Sequence, residues 1–237
     1  MAGDTSLQRR LYGRKRGRPL RPAQRGLVEE LLPRLAIGLP SAGYLDPRPL
    51  FPKAPGSVWL EIGYGSGEHL AAQAEAHPDT GFIGCEVFQN GTAKLLSEIE
   101  RRRLANIRLF TDDARLLIAA LAPASIGRVF VLFPDPWPKA RHHKRRIVSR
   151  ETLDELARII TGGAELCLAT DHREYFASML ECVTGHPAFD WSARWPADWR
   201  ERPPDQPPTR YEEKARDAGR MPFFLNARRR PRPGAIS

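Results

Sequence analysis

The stretch Val58-Trp59-Leu60-Glu61-Ile62-Gly63-Tyr64-Gly65-Ser66-Gly67-Glu68-His69-Leu70-Ala71-Ala72 decides the fold class of this chain. Its first five residues form the short apolar run of a buried strand, and its last five begin a helix. The three glycines between them permit a tight turn, because glycine adopts positive φ without a steric penalty. A strand, a glycine turn and a helix in this order indicate a unit that binds a nucleotide-like ligand at its turn.

Strands and helices alternate along the rest of the chain. The helices carry apolar residues at i, i+3, i+4 and i+7, and Ser149 is a candidate N-cap for one of them. Pro222 cannot donate to a ladder, so the last strand is expected at an edge or paired antiparallel. The pattern predicts an α/β fold, a Rossmann-like doubly wound seven-stranded sheet that is mostly parallel with a last antiparallel strand. Strands after the first are expected at residues 82–86, 107–110, 129–133, 165–169, 189–191 and 221–226.

The chain divides into three segments. Residues 1–50 are expected to form a basic N-terminal arm and a short helix that Pro33 limits, residues 51–227 the α/β domain, and residues 228–237 a basic C-terminal tail. Residues 38–56, rich in Pro and Gly, are expected to be a linker onto the domain. Five prolines mark an irregular excursion from the strand–helix pattern at residues 196–208. The sequence leaves open whether this segment is a lid or a passive loop.

Composition limits the class of partner. The 237 residues suffice for one α/β domain with extensions, and the formal net charge of +9 favours a polyanion. Charge alone does not separate a nucleic acid from an anionic membrane surface. Three cysteines without CxxC spacing favour core thiols over a disulfide framework or a zinc site. No apolar run reaches the length of a membrane-spanning helix, so we expect a cytoplasmic protein without a membrane partner or a metal.

The N-terminal arm concentrates positive charge. Such arms are typically disordered alone and order on a polyanion. Within it, Lys15-Arg16-Gly17-Arg18-Pro19 is similar to a minor-groove AT-hook, but a general RNA-facing arm is favoured over that short pattern. The basic residues of the arm are Arg9, Arg10, Arg14, Lys15, Arg16, Arg18 and Arg21.

The spacing of the glycine turn decides which ligand is predicted. The dinucleotide pattern GxGxxG would place its third glycine at position 68, where Glu68 would face a diphosphate. The turn instead runs from Glu61 through Gly63, Gly65 and Gly67. An acid there suits S-adenosylmethionine, which has an ammonium, a sulfonium and no phosphate. Glu86 is placed to accept both hydroxyls of a ribose, and Asp113 to accept from an adenine amine. Singly, each acid could equally be a helix cap or a solvated side chain.

A proline-stiffened loop, Phe133-Pro134-Asp135-Pro136-Trp137-Pro138-Lys139, follows the fourth strand. Proline fixes φ and removes a backbone donor, so the loop cannot extend the strand. Asp135 is therefore expected just beyond the carboxyl end of a buried strand, where ligands bind in open α/β sheets. Trp137 suits either stacking on a splayed base or packing under the loop. The basic run after the loop is expected to contact RNA phosphates through Arg141, Lys144, Arg145 and Arg146. His142 and His143 within it are expected to be polar groups on the RNA side rather than metal ligands.

Four motifs together resemble the bacterial tRNA (guanine-N7-)-methyltransferases, in order, over about residues 10–226: 61–67, 133–146, 170–171 and 209–212. The resemblance implies methyl transfer from S-adenosylmethionine to N7 of the guanine at position 46 in the variable loop of tRNA. It implies that Glu61, Glu86, Asp113 and Asp135 line the cofactor site and that Asp135 is the catalytic carboxylate. It also implies that substrate is held by Lys139, Asp171, Thr209, Arg210, Tyr211 and Glu212. Tyr64 and the Arg-rich arm depart mildly from the family pattern.

The chemistry of guanine N7 suggests a role for Asp135. N7 carries a lone pair and no proton, so it attacks a sulfonium methyl without a general base. Methylation leaves the purine ring cationic, and a carboxylate beside it is stabilising. Our hypothesis is that Asp135 orients guanine through its N1–H and amino edge or holds the cofactor's ammonium, with Asp171 as its partner.

Two other functions remain open from the sequence. A methyltransferase for small molecules would account for the glycine turn but not for the basic arm and run. An RNA-binding module with a decayed Rossmann domain would not account for the acids at the strand ends. A monomer and a homodimer are equally compatible with the sequence.

Overall fold

The structure is a computed structural model that describes residues 15–191 and 193–232. The helices are α1 Pro22–Glu30, α2 Leu32–Leu35, α3 Glu68–Ala76, α4 Gln89–Arg102, α5 Ala114–Ala120, α6 Arg150–Ile159, α7 Arg173–Thr184, α8 Ala197–Arg200 and α9 Arg210–Asp217. The strands are β1 Ser57–Ile62, β2 Thr80–Cys85, β3 Ile107–Phe110, β4 Ile126–Leu132, β5 Ile160–Thr170, β6 Phe189–Trp191 and β7 Phe223–Arg229. Short 3-10 segments cover Arg48–Leu50 and Ala140–Arg145.

The strands form one sheet in the order β3-β2-β1-β4-β5-β7-β6. The first five of these strands pair in parallel, and β7 pairs antiparallel with both β5 and β6. The strand order reverses between β1 and β4, which is the point where open α/β sheets bind ligands. The predicted α/β fold, with a mostly parallel seven-stranded sheet, is confirmed.

The two faces of the sheet are covered in different ways. On one face, alternate strand residues such as Leu60, Val129 and Leu166 form the largest apolar cluster with α5, α6 and α7. On the other face, Phe82 and Leu109 pack with α2, α3 and α4. Further along that second face lies a smaller apolar patch on β4, β5 and β7, formed by Phe130, Leu132, Cys167, Ala169 and Phe224.

Part of residues 38–56, the segment expected to be a linker, is packed onto the domain at Leu45, Leu50 and Phe51. Phe51 is buried, and a Cβ placed on Gly81 would lie 2.6 Å from its ring. Leu45 forms a parallel bridge with Leu121 and donates to the Ala120 carbonyl at 2.8 Å. A Pro- and Gly-rich composition indicates irregular backbone, but it does not indicate whether that backbone packs on a core.

The ends of two other elements also differ from expectation. β7 lies at residues 223–229 rather than 221–226, so Arg228 and Arg229 pair within the sheet. The short N-terminal helix that Pro33 was expected to limit ends earlier, at Glu30, and Pro33 occupies the first turn of α2. Proline suits that turn because its missing N–H would have no helical partner there. The division into three segments stays a prediction.

Part of the basic arm lies against the start of α4. The Lys15 carbonyl accepts from the Gln89 N–H at 2.9 Å, and Gly17 N–H donates to Asn90 Oδ1 at 2.6 Å. Asn90 Nδ2 in turn donates to the Arg18 carbonyl at 2.7 Å. The AT-hook-like pattern is thus held through its backbone. Arg9, Arg10 and Arg14 lie outside the described residues.

Candidate active site

A cleft of about 390 Å³ opens where the strand order reverses, at the carboxyl ends of β1 to β4. It gathers residues that the sequence assigned to a cofactor, namely Gly63, Gly65, Glu86, Asp113 and Asp135. Tyr211 of α9 lines it too, together with Trp137 and Arg145 from the loop and the basic run. Glu61 and Gly67 do not line the cleft.

The glycine turn adopts backbone that other residues rarely tolerate. Gly63, Gly65 and Gly67 have φ of 76°, 57° and 82°. A Cβ on Gly67 would lie 2.7 Å from the Leu95 side chain, so this glycine allows α3 and α4 to approach. A Cβ on Gly91 would lie 2.0 Å from the Gly65 carbonyl oxygen, so α4 begins directly against the turn. The turn is therefore shaped by both φ and close packing.

Glu61 is buried and faces α3 rather than the cleft. Its Oε2 lies 2.8 Å from His69 Nδ1, and both side chains are almost inaccessible. Gln73 Nε2 lies at 3.5 Å from His69 Nε2 and donates to the Asp205 carbonyl at 3.0 Å. These contacts form a buried polar chain behind the glycine turn. The assignment of Glu61 to a cofactor stays a prediction.

Glu86 follows β2 and is held by backbone N–H groups. Its Oε2 accepts from Gly65 at 2.9 Å, and its Oε1 accepts from Val87 at 2.8 Å and Phe88 at 2.9 Å. Burial raises the pKa of Glu86, the three N–H donors oppose this, and the charge of Asp135 adds to it. The carboxylate is thus fixed at the edge of the cleft, next to the turn.

Asp113 serves as a helix cap and lines the cleft at the same time. Its Oδ1 accepts from the Arg115 N–H at 3.0 Å at the start of α5, and its Oδ2 lies 2.7 Å from Arg115 Nη2. From the sequence, helix capping and ligand binding were alternative roles for Asp113. Its position at the start of α5 and on the cleft lining allows both. Asp112 beside it is exposed and also lines the cleft.

Asp135 is exposed on a strained loop beyond β4. Phe133 and Trp137 on either side of it have φ of 52° and 44°, which costs about 1–3 kcal/mol for each such residue. The buried guanidinium of Arg146 holds the loop by donating from Nε to the Pro136 carbonyl at 2.9 Å. The same group lies over the Tyr175 ring, 4.7 Å from its centroid, and 3.5 Å from Glu174.

The basic run is not one uniform surface. Arg141 and Lys144 are exposed, whereas only 4% of the Arg146 side chain is accessible. Arg146 therefore anchors the loop from inside, and its assignment as an RNA contact stays a prediction. His143 lies 3.3 Å from Glu174. The assignments of Arg141, His142, His143, Lys144 and Arg145 stay predictions.

Trp137 packs within the loop and also reaches the cleft. The Arg145 guanidinium lies 4.8 Å from its ring centroid, and the His142 ring meets it edge-on at 5.9 Å. Desolvation lowers the pKa of His142, and the neighbouring cations, Arg145 foremost, lower it further. The His142 imidazole is therefore neutral at neutral pH.

The residues expected to hold substrate differ in burial, since some are buried and others are exposed. Thr209 caps α9 by accepting from the Glu212 N–H at 3.1 Å, and both residues are buried. Tyr211 is half-exposed, and a Cβ on Gly65 would lie 2.9 Å from its ring. Asp171 lies 2.7 Å from Arg220 Nε just beyond β5, while Lys139 and Arg210 are exposed.

Comparison with known proteins identifies the family. A family model described as "Putative methyltransferase" matches residues 55–225. The tRNA (guanine-N(7)-)-methyltransferase of Rhodospirillum rubrum is 50% identical over 234 residues, covering 96% of this chain and 92% of that protein. The one from Paramagnetospirillum magneticum is 50% identical over 233 residues, covering 97% of each chain. The chain belongs to the bacterial tRNA (guanine-N(7)-)-methyltransferase family.

Solved structures support the fold of this family member at lower identity. The 16S rRNA methyltransferase KamB has a TM-score of 0.53 and 17% identity, covering 75% of this chain and 89% of that one. An rRNA methylase from Streptococcus thermophilus has a TM-score of 0.50 and 16% identity, covering 73% and 87%. Among the described residues, no helix is long and apolar enough to cross a membrane, and no three metal-ligating side chains converge.

Several residues that shape the site were missed in the sequence. Thr92 accepts or donates a hydrogen bond with the buried Tyr64 hydroxyl at 2.9 Å, which packs the glycine turn against α4. Arg115 pairs with Asp113, and a basic residue two positions after a capping acid is a signal that could have been used. Gly91 carried no such signal, because its role depends on where the Gly65 carbonyl lies in space.

Proposed function

We propose that this protein transfers a methyl group from S-adenosylmethionine to N7 of the guanine at position 46 of tRNA. The observation that carries the proposal is the meeting of Glu86 and Asp135 in one cleft, where the strand order reverses and an exposed basic surface begins. Membership of the tRNA (guanine-N(7)-)-methyltransferase family supports the nucleic acid, the base and the atom. The single position within tRNA follows from the resemblance of the motifs.

The cleft fits the charge of this cofactor. Its lining holds four carboxylates, Glu86, Asp112, Asp113 and Asp135, against the two guanidiniums of Arg115 and Arg145, an excess of two negative charges. Such a lining suits a ligand with cationic groups and disfavours a diphosphate. A Cβ on Gly63 would meet nothing within 4 Å, so the turn leaves open space on the cleft side. Glu86, Asp113 and the backbone at Gly63 and Gly65 would hold the cofactor.

The side chains at the cleft orient the guanine and stabilise the charge that forms on it, and none of them acts as a base. When bound, S-adenosylmethionine supplies an electrophilic methyl group on a sulfonium. Asp135 lies where a strained loop presents it to the cleft, so its carboxylate can orient a guanine by accepting from N1–H and the amino group. The negative charge of Asp135 also stabilises the cationic ring that forms, because the loop holds this charge in place before positive charge develops on the ring. Arg146 keeps the loop in place for this task.

The test is methyl transfer to an unmodified tRNA transcript with a labelled methyl group. We expect label in N7-methylguanosine and none in a transcript whose guanine 46 is replaced by adenine. Asp135→Asn keeps the shape and removes the charge, and we expect kcat to fall about 100-fold, the usual scale for removing one group that stabilises charge in the transition state. Asp79→Asn, which breaks an exposed pair with Lys53, is the matched control. Label on another nucleoside, or none on RNA, contradicts the proposal.

The two other functions suggested by the sequence predict different outcomes of the same assay. A methyltransferase for small molecules would bind the cofactor and leave tRNA unlabelled. An RNA-binding module without activity would bind tRNA but not the cofactor, which calorimetry of the two ligands separates. The exposed Arg141 and Lys144 beside the cleft favour RNA as the substrate over a small molecule.

A further inference from the structure

The irregular excursion before α9 crosses the face of the sheet that carries the smaller apolar patch. Residues 201–208, which we call the strap, run from α8 to the start of α9. Arg128 and Glu165 share this face with Phe130 and Cys167, since side chains alternate along a strand. The strap is therefore in place to contact polar groups of the sheet on its way to the cleft.

Arg128 fixes the middle of the strap to the sheet. Its Nη1 lies 2.6 Å from Asp205 Oδ2, and its Nη2 lies 2.9 Å from Glu165 Oε2. The guanidinium also lies over the rings of Trp59 and Phe130, at 5.2 Å and 5.0 Å from their centroids. Only 11% of the Arg128 side chain is accessible, so this pair is shielded more than a surface pair.

A second contact holds the same point of the strap from α3. Gln73 Nε2 donates to the Asp205 carbonyl at 3.0 Å, so side chain and backbone of one residue are both engaged. Through His69 this contact continues to Glu61, behind the glycine turn. The middle of the strap is thereby tied to two elements that also build the cofactor side of the cleft.

Arg202 ties the strap to α9 by way of Glu212. Its Nη1 donates to the Gln206 carbonyl within the strap, and its Nε lies 3.1 Å from Glu212 Oε2. Arg216 Nη2 contacts the other carboxylate oxygen at 2.8 Å. Only 3% of the Glu212 side chain is accessible, and Glu212 does not line the cleft. Its carboxylate is directed toward the strap and away from a substrate.

Tyr211 is the residue that this arrangement places. It precedes Glu212 in the first turn of α9, after the cap that Thr209 provides. Its ring lies so close to Gly65 that a Cβ there would approach Cε2 to 2.9 Å. Burial raises the pKa of Tyr211, as do the charges of Glu86 and Asp135, which places the phenol among the cleft carboxylates.

We propose that the strap positions Tyr211 as a wall of the cofactor end of the cleft, and that Arg128, Asp205, Arg202 and Glu212 are its positioning residues. Glu212 then acts through α9 rather than by touching guanine or RNA. The inference rests on the proposed function for the identity of the cofactor. The excursion at residues 196–208 then has a positioning role, whereas the sequence left open whether it is a lid or a passive loop.

The first test replaces Asp205 by Asn. Half of the Asp205 side chain is accessible, so the fold should persist while the charge pair with Arg128 is removed. We expect faster amide exchange at residues 210–217 in the protein without ligand, and S-adenosylmethionine affinity about fivefold weaker by calorimetry. Asp79→Asn is the matched control and should match the wild type in both. If Asp205→Asn also matches the wild type in both, the inference is overturned.

A double-mutant cycle tests whether the strap acts through Tyr211. Tyr211→Ala removes the ring, so adding Asp205→Asn should not weaken cofactor binding further, because the two changes interrupt one path. If the double variant lost cofactor affinity by the product of the two single losses, the changes would be independent and the inference would be overturned. Arg128→Lys keeps the charge but not the planar fork, and it should recover part of the affinity that Arg128→Met loses. No recovery, with both variants folded, counts against Arg128.

Glu212→Gln separates positioning from direct contact. Positioning predicts faster exchange in α9 together with weaker cofactor binding, measured without tRNA. Direct contact predicts a higher KM for tRNA with exchange and cofactor affinity unchanged, and that result would overturn the inference. If the wild-type protein failed to bind S-adenosylmethionine, the proposed function would fail, and amide exchange alone would then decide the role of the strap.

Discussion

Glu86 combines burial with three backbone donors, and this combination sets a pH dependence. Its carboxylate accepts from Gly65, Val87 and Phe88, while desolvation raises its pKa above the ordinary 4.5 and Asp135 adds to the effect. An ionised carboxylate accepts from ribose hydroxyls more strongly than a protonated carboxyl group does. Because the pKa is raised, protonation begins nearer to neutral pH than for an exposed glutamate.

Cofactor affinity should therefore fall as the pH is lowered from 7 toward 4.5. Glu86→Gln should bind more weakly at neutral pH and lose most of this dependence, since the amide does not titrate. Calorimetric titration with S-adenosylmethionine across this range measures both effects, and Glu100→Gln at an exposed position of α4 is the control. An affinity of the wild type that stays constant over the range would show that Glu86 does not hold the ligand.

Single residues differ in how far the sequence could place them. Glu86 and Asp135 were found because each follows a recognisable strand, and the carboxyl ends of parallel strands converge. Arg146 was expected to contact RNA as part of a basic run, and Glu212 to hold substrate as part of a motif. Both are buried against partners outside their own motifs, Pro136 and Glu174 for Arg146, and Arg202 and Arg216 for Glu212. A local pattern does not reveal such partners.

At the scale of elements, the contact between α4 and the glycine turn depends on a residue without a side chain. The Gly65 carbonyl would lie 2.0 Å from a Cβ on Gly91, and a backbone atom cannot move aside without moving the turn. Gly26 lies in α1 with nothing within 4 Å of its Cβ position. The same substitution should therefore have opposite effects in the two helices.

Gly91→Ala should destabilise the protein by about 1–3 kcal/mol, as overpacking does, and should weaken cofactor binding. Gly26→Ala should stabilise it by about 0.5–1 kcal/mol, because alanine loses less backbone entropy in a helix. Urea unfolding of the two variants measures the difference. Equal stability of the two would show that α4 does not press against the turn.

Regular elements were predictable where their pattern is local, and irregular ones were not. The strands at residues 107–110 and 129–133 followed from short apolar runs between turn signals, and Ser149 does cap α6. The packed part of segment 38–56 and the strap have no periodicity to detect. Their positions depend on single long-range contacts, such as Phe51 against Gly81 and Asp205 against Arg128.

At the scale of the whole molecule, charge is separated over a short distance. The cleft carries an excess of acids, while Arg141 and Lys144 are exposed on the segment that follows the Asp135 loop. A cationic cofactor and a polyanionic RNA can therefore approach adjacent surfaces without competing for one charge. The net charge of +9 then favours association with RNA. Added salt weakens this association, because binding to phosphates releases counterions.

Replacing Arg141 and Lys144 together by Gln should lower the slope of log affinity for tRNA against log salt by about 1.5, at about 0.7–0.9 for each phosphate that is no longer neutralised. Lys53→Gln makes the same type of charge change on an exposed residue just before β1, at the end of the strands that lies away from the cleft. This variant should leave the slope unchanged. Arg146→Gln should instead lower the unfolding temperature, because it removes the buried partner of the Pro136 carbonyl. Fluorescence binding titrations at several salt concentrations measure the slopes. Equal slopes for the wild type and the double variant would place the RNA on another surface.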